Sequence, residues 1–297
     1  MTCPSAPAAM PNTSVIVPVF NDQQGIERCI LALRAQTAPR ESFEIIVVDN
    51  GSKPAIYLAT AEYNVILIRC NTPGSYAARN AGVAASTGRT LAFTDADCEP
   101  SPDWIENGRA ALAEAPGTIV GGEVLVSHPD PRTGTGLYQH IIGFRQRENI
   151  EDRGFAVTAN MFCTRQDFLT IGEFQTSLLS GGDMEWGHRA LKAGIPTVYA
   201  AGVIVTTPPR VTLLSAIRQA RRVAGGRRQL ATMGFEWVGK KRFRHRHSRL
   251  RTLLSSAQSK KLSLPETARV VVAAFSIYAA TAFETVRLMF GGLAERR

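Results

Sequence analysis

Residues 90–97 read TLAFTDAD. A short apolar run passes straight into two aspartates separated by one residue, and that junction decides how the rest of the chain is read. Such a run, closed by a polar turn, is the pattern of a strand buried on both faces. Working outward, the same pattern recurs at 14–19 (SVIVPV), 43–48 (FEIIVV) and 64–69 (NVILIR). Helical patterns separate these runs. Ile26, Ile30 and Leu33 fall at helical spacing before Pro39, and a small-residue helix follows Gly74 over 75–85. Alternating strands and helices predict βαβ units with parallel strands and right-handed crossovers. Ligands of such sheets gather beyond the carboxyl ends of the strands. Here those ends are 18–22, 49–52 and 95–99, so carboxylates collect along one edge.

Further along, the pattern predicts a helix from Pro102 to about Ala115, a strand over 118–126, a helix over 134–149 and an extended segment over 155–163. Helices over 165–171 and 183–193 and a last strand over 196–205 complete the alternation, which Pro208-Pro209 ends. The expected organisation is a flexible N-terminus at 1–12, an α/β domain at 13–207 and a basic, partly apolar helical tail at 208–297.

Composition agrees with a folded chain. Of 297 residues 44% are apolar and 20% charged, which excludes a disordered, collagen-like or coiled-coil protein. Five cysteines stand singly at 3, 29, 70, 98 and 163, with no paired spacing for zinc or for a disulfide framework. A reducing compartment is expected. Residues 1–13 lack a basic start and a sustained apolar run, so no secretory leader is expected. The net charge of +9 is unevenly held. Residues 1–207 carry 15 Lys and Arg against 21 Asp and Glu, whereas 208–297 carry 19 against 4. A body of −6 therefore bears a tail of +15, a polarity that points the tail at an anionic partner.

Two carboxylates two positions apart on a tight turn, Asp95 and Asp97, can address one polar ligand together. Hard cations such as Mg²⁺ and Mn²⁺ prefer oxygen donors, and Mg²⁺ commonly takes one or two carboxylates plus substrate phosphates.

In order and spacing, four segments resemble family 2 glycosyltransferases: SVIVPVFN at 14–21, FEIIVVDNGS at 43–52, GSYAARNAG at 74–82 and FTDAD at 93–97. The resemblance runs from about residue 13 to 207. It implies a GT-A fold, a nucleotide-binding, mostly parallel sheet flanked by helices and continued into an acceptor-binding half. It also implies an inverting transfer of a sugar from a nucleotide-diphosphate donor to a hydroxyl. By the same resemblance Pro18, Val19 and Asn21 line the nucleotide pocket, and Asp49 accepts from the base. Arg79 serves the diphosphate as a forked cation, Asp95 faces the ribose and Asp97 holds the metal. The cofactor so implied is Mn²⁺ or Mg²⁺, and a UDP-sugar is favoured over a GDP-sugar.

Inversion by direct displacement needs one carboxylate to take the acceptor's proton. The segment SGGDMEWGHR at 180–189 resembles the acidic motif that supplies it, with Asp183 at the catalytic position and Gly182 in place of the usual acidic neighbour. Glu185 is the rival base. Trp186 is assigned with it to the acceptor side, where its ring would stack on a sugar, burial being the competing reading. His188 reads as a helix-surface residue. Relatives carry a histidine after the last strand, where this chain has VTTPPR at 205–210; the metal site then rests on Asp97 and the diphosphate, which implies modest metal affinity.

In the tail, Leu213, Leu214, Ile217 and Ala220 share a helical stripe flanked by Arg218, Arg221 and Arg222, and Gly225-Gly226 is expected to interrupt it. KKRFRHRHSRLR at 240–251 extends the positive field. An apolar run at 270–283, short of the roughly 20 residues that cross a bilayer, reads as an interfacial helix or, equally, as a helix packed on the body or in a homodimer. The expected location is peripheral, at the cytoplasmic face of the cell membrane, with a lipid-linked, polysaccharide or small-molecule acceptor. Two other functions are weighed. Nucleotidyl transfer to a sugar phosphate needs a glycine-rich, lysine-bearing loop where this chain has PVFND. Nucleic-acid binding by the tail needs stacking aromatics, for which Phe235, Trp237 and Phe243 alone are candidates, and no nucleic-acid partner is expected.

Overall fold

The computed structural model describes residues 12–235 and 249–294. The expectations for residues 1–11, for the basic run 240–248 and for Trp237 and Phe243 lie outside the described residues. β1 (Thr13–Val19) leads through α1 (Gln23–Arg34) to β2 (Phe43–Asp49), the single turn α2 (Thr60–Tyr63), β3 (Ile66–Arg69), α3 (Ser75–Ala84) and β4 (Thr90–Thr94). After β5 (Glu99–Pro100) come α4 (Trp104–Glu114), β6 (Ile119–Val126), α5 (Gly134–Ile142), α6 (Gln146–Arg153), β7 (Asn160–Thr164), α7 (Arg165–Ile171), α8 (Gly182–Lys192) and β8 (Thr197–Thr207). Then follow α9 (Leu213–Thr232), α10 (Arg249–Ser259) and α11 (Leu264–Met289).

The eight strands form one sheet in the order β3-β2-β1-β4-β7-β6-β8-β5. β1 pairs in parallel with β2 and β4, β2 with β3, and β6 with β8. β7 is inserted antiparallel between β4 and β6, and β5 runs antiparallel to β8. The expectation of a mostly parallel sheet therefore holds for β1 to β4 and for β6 with β8, and fails at β7 and β5. A strand buried on both faces carries no mark of its direction, so residue pattern alone could not reverse β7. Because β4, β6 and β8 all run the same way, their carboxyl ends share the edge reached by β1 and β2.

Strand periodicity of two divides the core. Val15, Val17 and Val19 pack with Ile26, Ile30, Leu33 and Trp104 on one face. Ile16, Leu91 and Phe93 pack with Met161, Phe168, Phe174 and Trp186 on the other. Each such side chain contributes roughly 1.5–3 kcal/mol on burial.

Three local expectations change. The helix expected over 134–149 is two helices, α5 and α6, parted where Gly143 and Arg145 take φ of 60° and 53°; the left-handed region ends a helix. Of the extended segment 155–163, only the part from Asn160 joins the sheet. α9 runs unbroken through Gly225-Gly226. A Cβ on Gly226 would sit 2.2 Å from the Ser180 carbonyl oxygen, so this glycine marks a close helix–loop contact and not an interruption.

The tail helices lie against the α/β body. Leu230 of α9 is buried, and Gln229 bonds both the Leu179 amide (3.1 Å) and the Ser177 carbonyl (2.9 Å). α11 packs Val270 and Ala274 beside Leu137 of α5. It is clipped to α9 by Glu284, 1% exposed, which accepts from Arg221 Nε (3.0 Å) and from Arg287 Nη2 (2.6 Å).

Candidate active site

The ends of β1 and β2 are tied together. Asn21, in a left-handed conformation (φ 52°), donates its amide to Ser52 Oγ (2.9 Å), and its Oδ1 accepts from the Lys53 amide (2.8 Å). Pro18 and Val19 stand in register with Val48 and Asp49. The four residues assigned to the nucleotide pocket, Pro18, Val19, Asn21 and Asp49, thus occupy neighbouring strand ends. Asp49 is 3% exposed and accepts from the Ser52 amide (2.8 Å), the Ile56 amide (3.4 Å) and Arg69 Nη1 (3.4 Å). Burial pushes its carboxyl up, but these donors and the Ser52 hydroxyl outweigh it and hold the group below the usual carboxylate range. Asp22 caps α1 by accepting from the Gly25 amide (2.9 Å).

Beyond β4, Asp95 is about one-third exposed and ion-pairs with Arg79 of α3, whose side chain is 3% exposed. Arg79 Nε has no hydrogen-bond partner among the described residues. A buried guanidinium with a spare donor is suited to an incoming anion. Asp97 is half-buried, and its carboxyl is pushed up to about 6 by burial, then by Asp95 and Asp22, with Arg210 opposing. The β8 end therefore delivers a cation, Arg210, to the acidic edge. Thr207, in the 205–210 segment where the family resemblance implies a histidine, is 3% exposed, and its carbonyl accepts from the Ser127 amide (2.9 Å).

A divalent cation fits this edge by the chemistry of its donors. Asp95 and Asp97 offer oxygen alone, and burial together with the charge of Asp95 has already raised Asp97. Among the described residues no group of three or more His, Cys, Asp or Glu side chains surrounds one point. A cation here would complete its shell from substrate oxygens and water.

Asp183 lies in the first turn of α8. Tyr76 Oη donates to its Oδ1 (3.2 Å) and accepts from the Gly182 amide (2.8 Å). Arg79 reaches the same group: its guanidinium carbon is 5.7 Å from the Tyr76 ring centre, and its charge acts on Asp183. Burial raises the Asp183 carboxyl above its ordinary range, while Arg79 and the Tyr76 hydroxyl draw it back part of the way. Asp95, Arg79, Tyr76 and Asp183 thus form one connected cluster, through an ion pair, a cation–ring contact and a hydrogen bond, from the DxD turn to the start of α8.

Tyr76 also accounts for the glycine before Asp183. A Cβ at 182 would lie 2.6 Å from the Tyr76 ring, so an acidic neighbour there cannot coexist with the tyrosine. Tyr76 was not foreseen from sequence, because a tyrosine in a small-residue helix reads as core. Its spacing of three from Arg79, which places both on one helix face, was the available signal. Arg210 was equally unforeseen.

Two acceptor-side expectations are corrected. Trp186 is 0% exposed, donates Nε1 to the Gly172 carbonyl (2.8 Å) and packs on Phe168 and Phe174, so it is core and presents no face to a sugar. Glu185 lies two residues from Asp183, hence on the far side of the helix. There it pairs with Arg189 (2.7 Å) and lines a cavity of about 180 Å³ with His188, Lys192 and Phe235. His188 is 2% exposed and stacks on Phe235 with ring centres 5.0 Å apart, not on the surface.

The family described as Glycosyl transferase family 2 matches residues 14–170. The chain is 39% identical over 210 residues to glycosyltransferase AglE of Haloferax volcanii, covering 68% of this chain and 69% of that one. It is 25% identical over 238 residues to pre-mycofactocin glycosyltransferase of Mycobacterium tuberculosis, covering 77% of this chain and 49% of that one, about half the relative's length. Its fold is similar to a solved structure, mannosyltransferase PcManGT from Pyrobaculum calidifontis in complex with GDP-Man and Mn²⁺. That likeness has a TM-score of 0.55 at 19% identity and covers 97% of this chain and 83% of the other. Carboxylates ordered along one sheet edge, a basic residue buried beside them and a match over more than half the chain leave one conclusion: this protein is a glycosyltransferase of family 2.

Proposed function

We propose that the enzyme transfers a sugar from a nucleotide-diphosphate donor to a hydroxyl acceptor with inversion, Asp183 acting as the base. The observation that carries this reading is the cluster joining Asp95 to Asp183 through Arg79 and Tyr76. It joins the carboxylates beyond β4 to the raised carboxyl of Asp183 at the other end of one connected cluster.

The donor's base and ribose lie along Pro18, Val19, Asn21, Asp49 and Asp95, and its diphosphate meets the buried Arg79. Asp97, with Asp95 beside it, would hold Mn²⁺ or Mg²⁺, whose charge offsets the negative charge gathering on the departing diphosphate. The acceptor oxygen bonds to the anomeric carbon from the face opposite the leaving group as the carbon–phosphate oxygen bond breaks. Its proton passes to the Asp183 carboxylate. Burial raises that carboxyl above its ordinary range, which makes it a stronger proton acceptor; the Tyr76 hydroxyl fixes the oxygen that is not needed for it. The nucleoside diphosphate leaves with the electron pair.

The acceptor hydroxyl belongs to a lipid-linked sugar or polysaccharide precursor at the cytoplasmic face of a membrane. A thermal-shift panel of UDP-, GDP- and dTDP-sugars with Mn²⁺ tests the donor class. It includes the UDP-sugars that the family resemblance favours and the GDP-mannose held by the fold neighbour. One nucleotide class raising Tm supports the reading; a flat panel contradicts it. Proton NMR of the glycosidic product then reads inversion directly.

A further inference from the structure

We propose that the outward face of α11 beds flat into the headgroup–acyl boundary of an anionic membrane, holding the catalytic edge beside the bilayer. This rests on, and deepens, the reading of a membrane-borne acceptor.

The two faces of α11 differ sharply. Val270, Ala273, Ala274, Ile277, Glu284 and Leu288 are buried against the protein. On the opposite side Val272, Phe275, Phe283, Val286, Met289 and Phe290 are 51–87% exposed. Their spacings of three, four, seven and eight keep them on one stripe. Between 272 and 290 the charged residues are Glu284, which is buried, and Arg287, which pairs with it, so the exposed stripe itself carries no charge. A row of phenylalanines in water is costly and marks a contact surface.

By length and composition α11 could also cross a bilayer. The inner face argues against that. Glu284 is held by Arg221 of α9, and α9 presents Arg218, Arg227 and Arg228 to solvent. Immersing α11 would either drag those guanidinium groups into hydrocarbon or tear Glu284 from its partners. An amphipathic helix lying in the interface satisfies both faces.

Charge decides between lipid and a second copy. The segment 208–297 carries 19 cationic against 4 anionic residues. Among the described residues of that segment 12 are cationic and 2 anionic, so pairing two copies through it opposes like charge, whereas anionic headgroups neutralise it. Through its inner face α11 is also linked to the catalytic edge. α5, against which α11 packs, holds the Arg210 amide through Gln139 Oε1 (2.7 Å), and the Arg210 charge acts on Asp97.

The test is flotation of the full chain with phosphatidylcholine vesicles, with and without phosphatidylglycerol, for the wild type and for F275E/F283E. Both phenylalanines are at least 70% exposed, so the variant keeps the folded body, checked by an unchanged Tm. Without vesicles, light scattering records the mass of each protein. The wild type should float with the anionic vesicles and largely stay behind with the neutral ones, and the variant should lose binding by roughly a hundredfold. A variant that floats like the wild type overturns the proposal, as does a wild-type dimer that the substitutions convert to monomer. Flotation is scored without donor or acceptor, so it can fail while the nucleotide-sugar panel succeeds, and the reverse.

Discussion

Replacing Tyr76 by Phe removes a single hydroxyl from the cluster and leaves the ring that packs against Gly182. Two interactions go: the donation to Asp183 Oδ1 at 3.2 Å and the acceptance from the Gly182 amide at 2.8 Å. A hydrogen bond to a charged group is worth about 1.5–3 kcal/mol, and one this long falls below that range, at about 1 kcal/mol. Its loss should raise the Asp183 carboxyl further, and about 1 kcal/mol corresponds to about fivefold in the ionised fraction. The sign follows from the role. Tyr76 favours the charged form, so its loss makes the base harder to deprotonate and moves the acid limb of kcat/KM to higher pH. Below that limb the variant should be about fivefold slower than the wild type, and well above it the two rates should converge. Initial rates of nucleoside-diphosphate release across pH measure this. The unsatisfied Gly182 amide will also lower Tm, but a loss of stability alone does not displace a pH limb. An unmoved limb with a uniform fall in rate, or a limb moved to lower pH, would refute the role given to Tyr76.

Other consequences can be checked separately. Asp97→Ala should weaken donor binding in Mn²⁺ by about tenfold or more, measured by calorimetry, and remove any effect of chelator on turnover; an undiminished chelator effect would place the metal elsewhere. Gly182→Ala forces a Cβ to within 2.6 Å of the Tyr76 ring, so chemical denaturation should show a loss of about 1–3 kcal/mol. Asp49→Asn should destabilise at neutral pH and flatten the acid side of the stability profile. The folded Asp49 carboxyl is held below its free-chain value of about 3.9, so its contribution is complete above that pH and is lost as pH falls through the folded value. A wild-type profile in Asp49→Asn, read by urea unfolding from pH 2 to neutral in about half-unit steps, would contradict this.

Much of the site could be read from residue order because its parts sit at strand ends. The apolar runs ending at Val19, Asp49 and Thr94 define an edge, and whatever polar residues follow must share it. Arg79 was legible through its motif, but its burial and its pairing with Asp95 were not, since an isolated helix arginine reads as solvent-exposed. Trp186 went the other way: nearness to Asp183 on one helix suggested a site residue, while packing against Phe168 and Phe174, which lie on other segments of the chain, makes it core. The reversal of β7 depends on where the chain leaves α6, a tertiary matter that strand composition does not encode. Gly225-Gly226 misled because glycine both breaks helices and permits close approach; Ser180 supplies the second reason here. Tyr76 and Gly182 could be understood only as a pair, each explaining the other across 106 positions of sequence.

The most direct test exchanges the carboxyl of residue 183 for an amide of the same shape. In Asp183→Asn, with the best donor and acceptor from the nucleotide-sugar panel, donor affinity should stay within about threefold of the wild type while single-turnover transfer falls by about a thousandfold, the range expected for losing a general base. Transfer at near wild-type rate with intact donor binding would mean that another group takes the acceptor's proton.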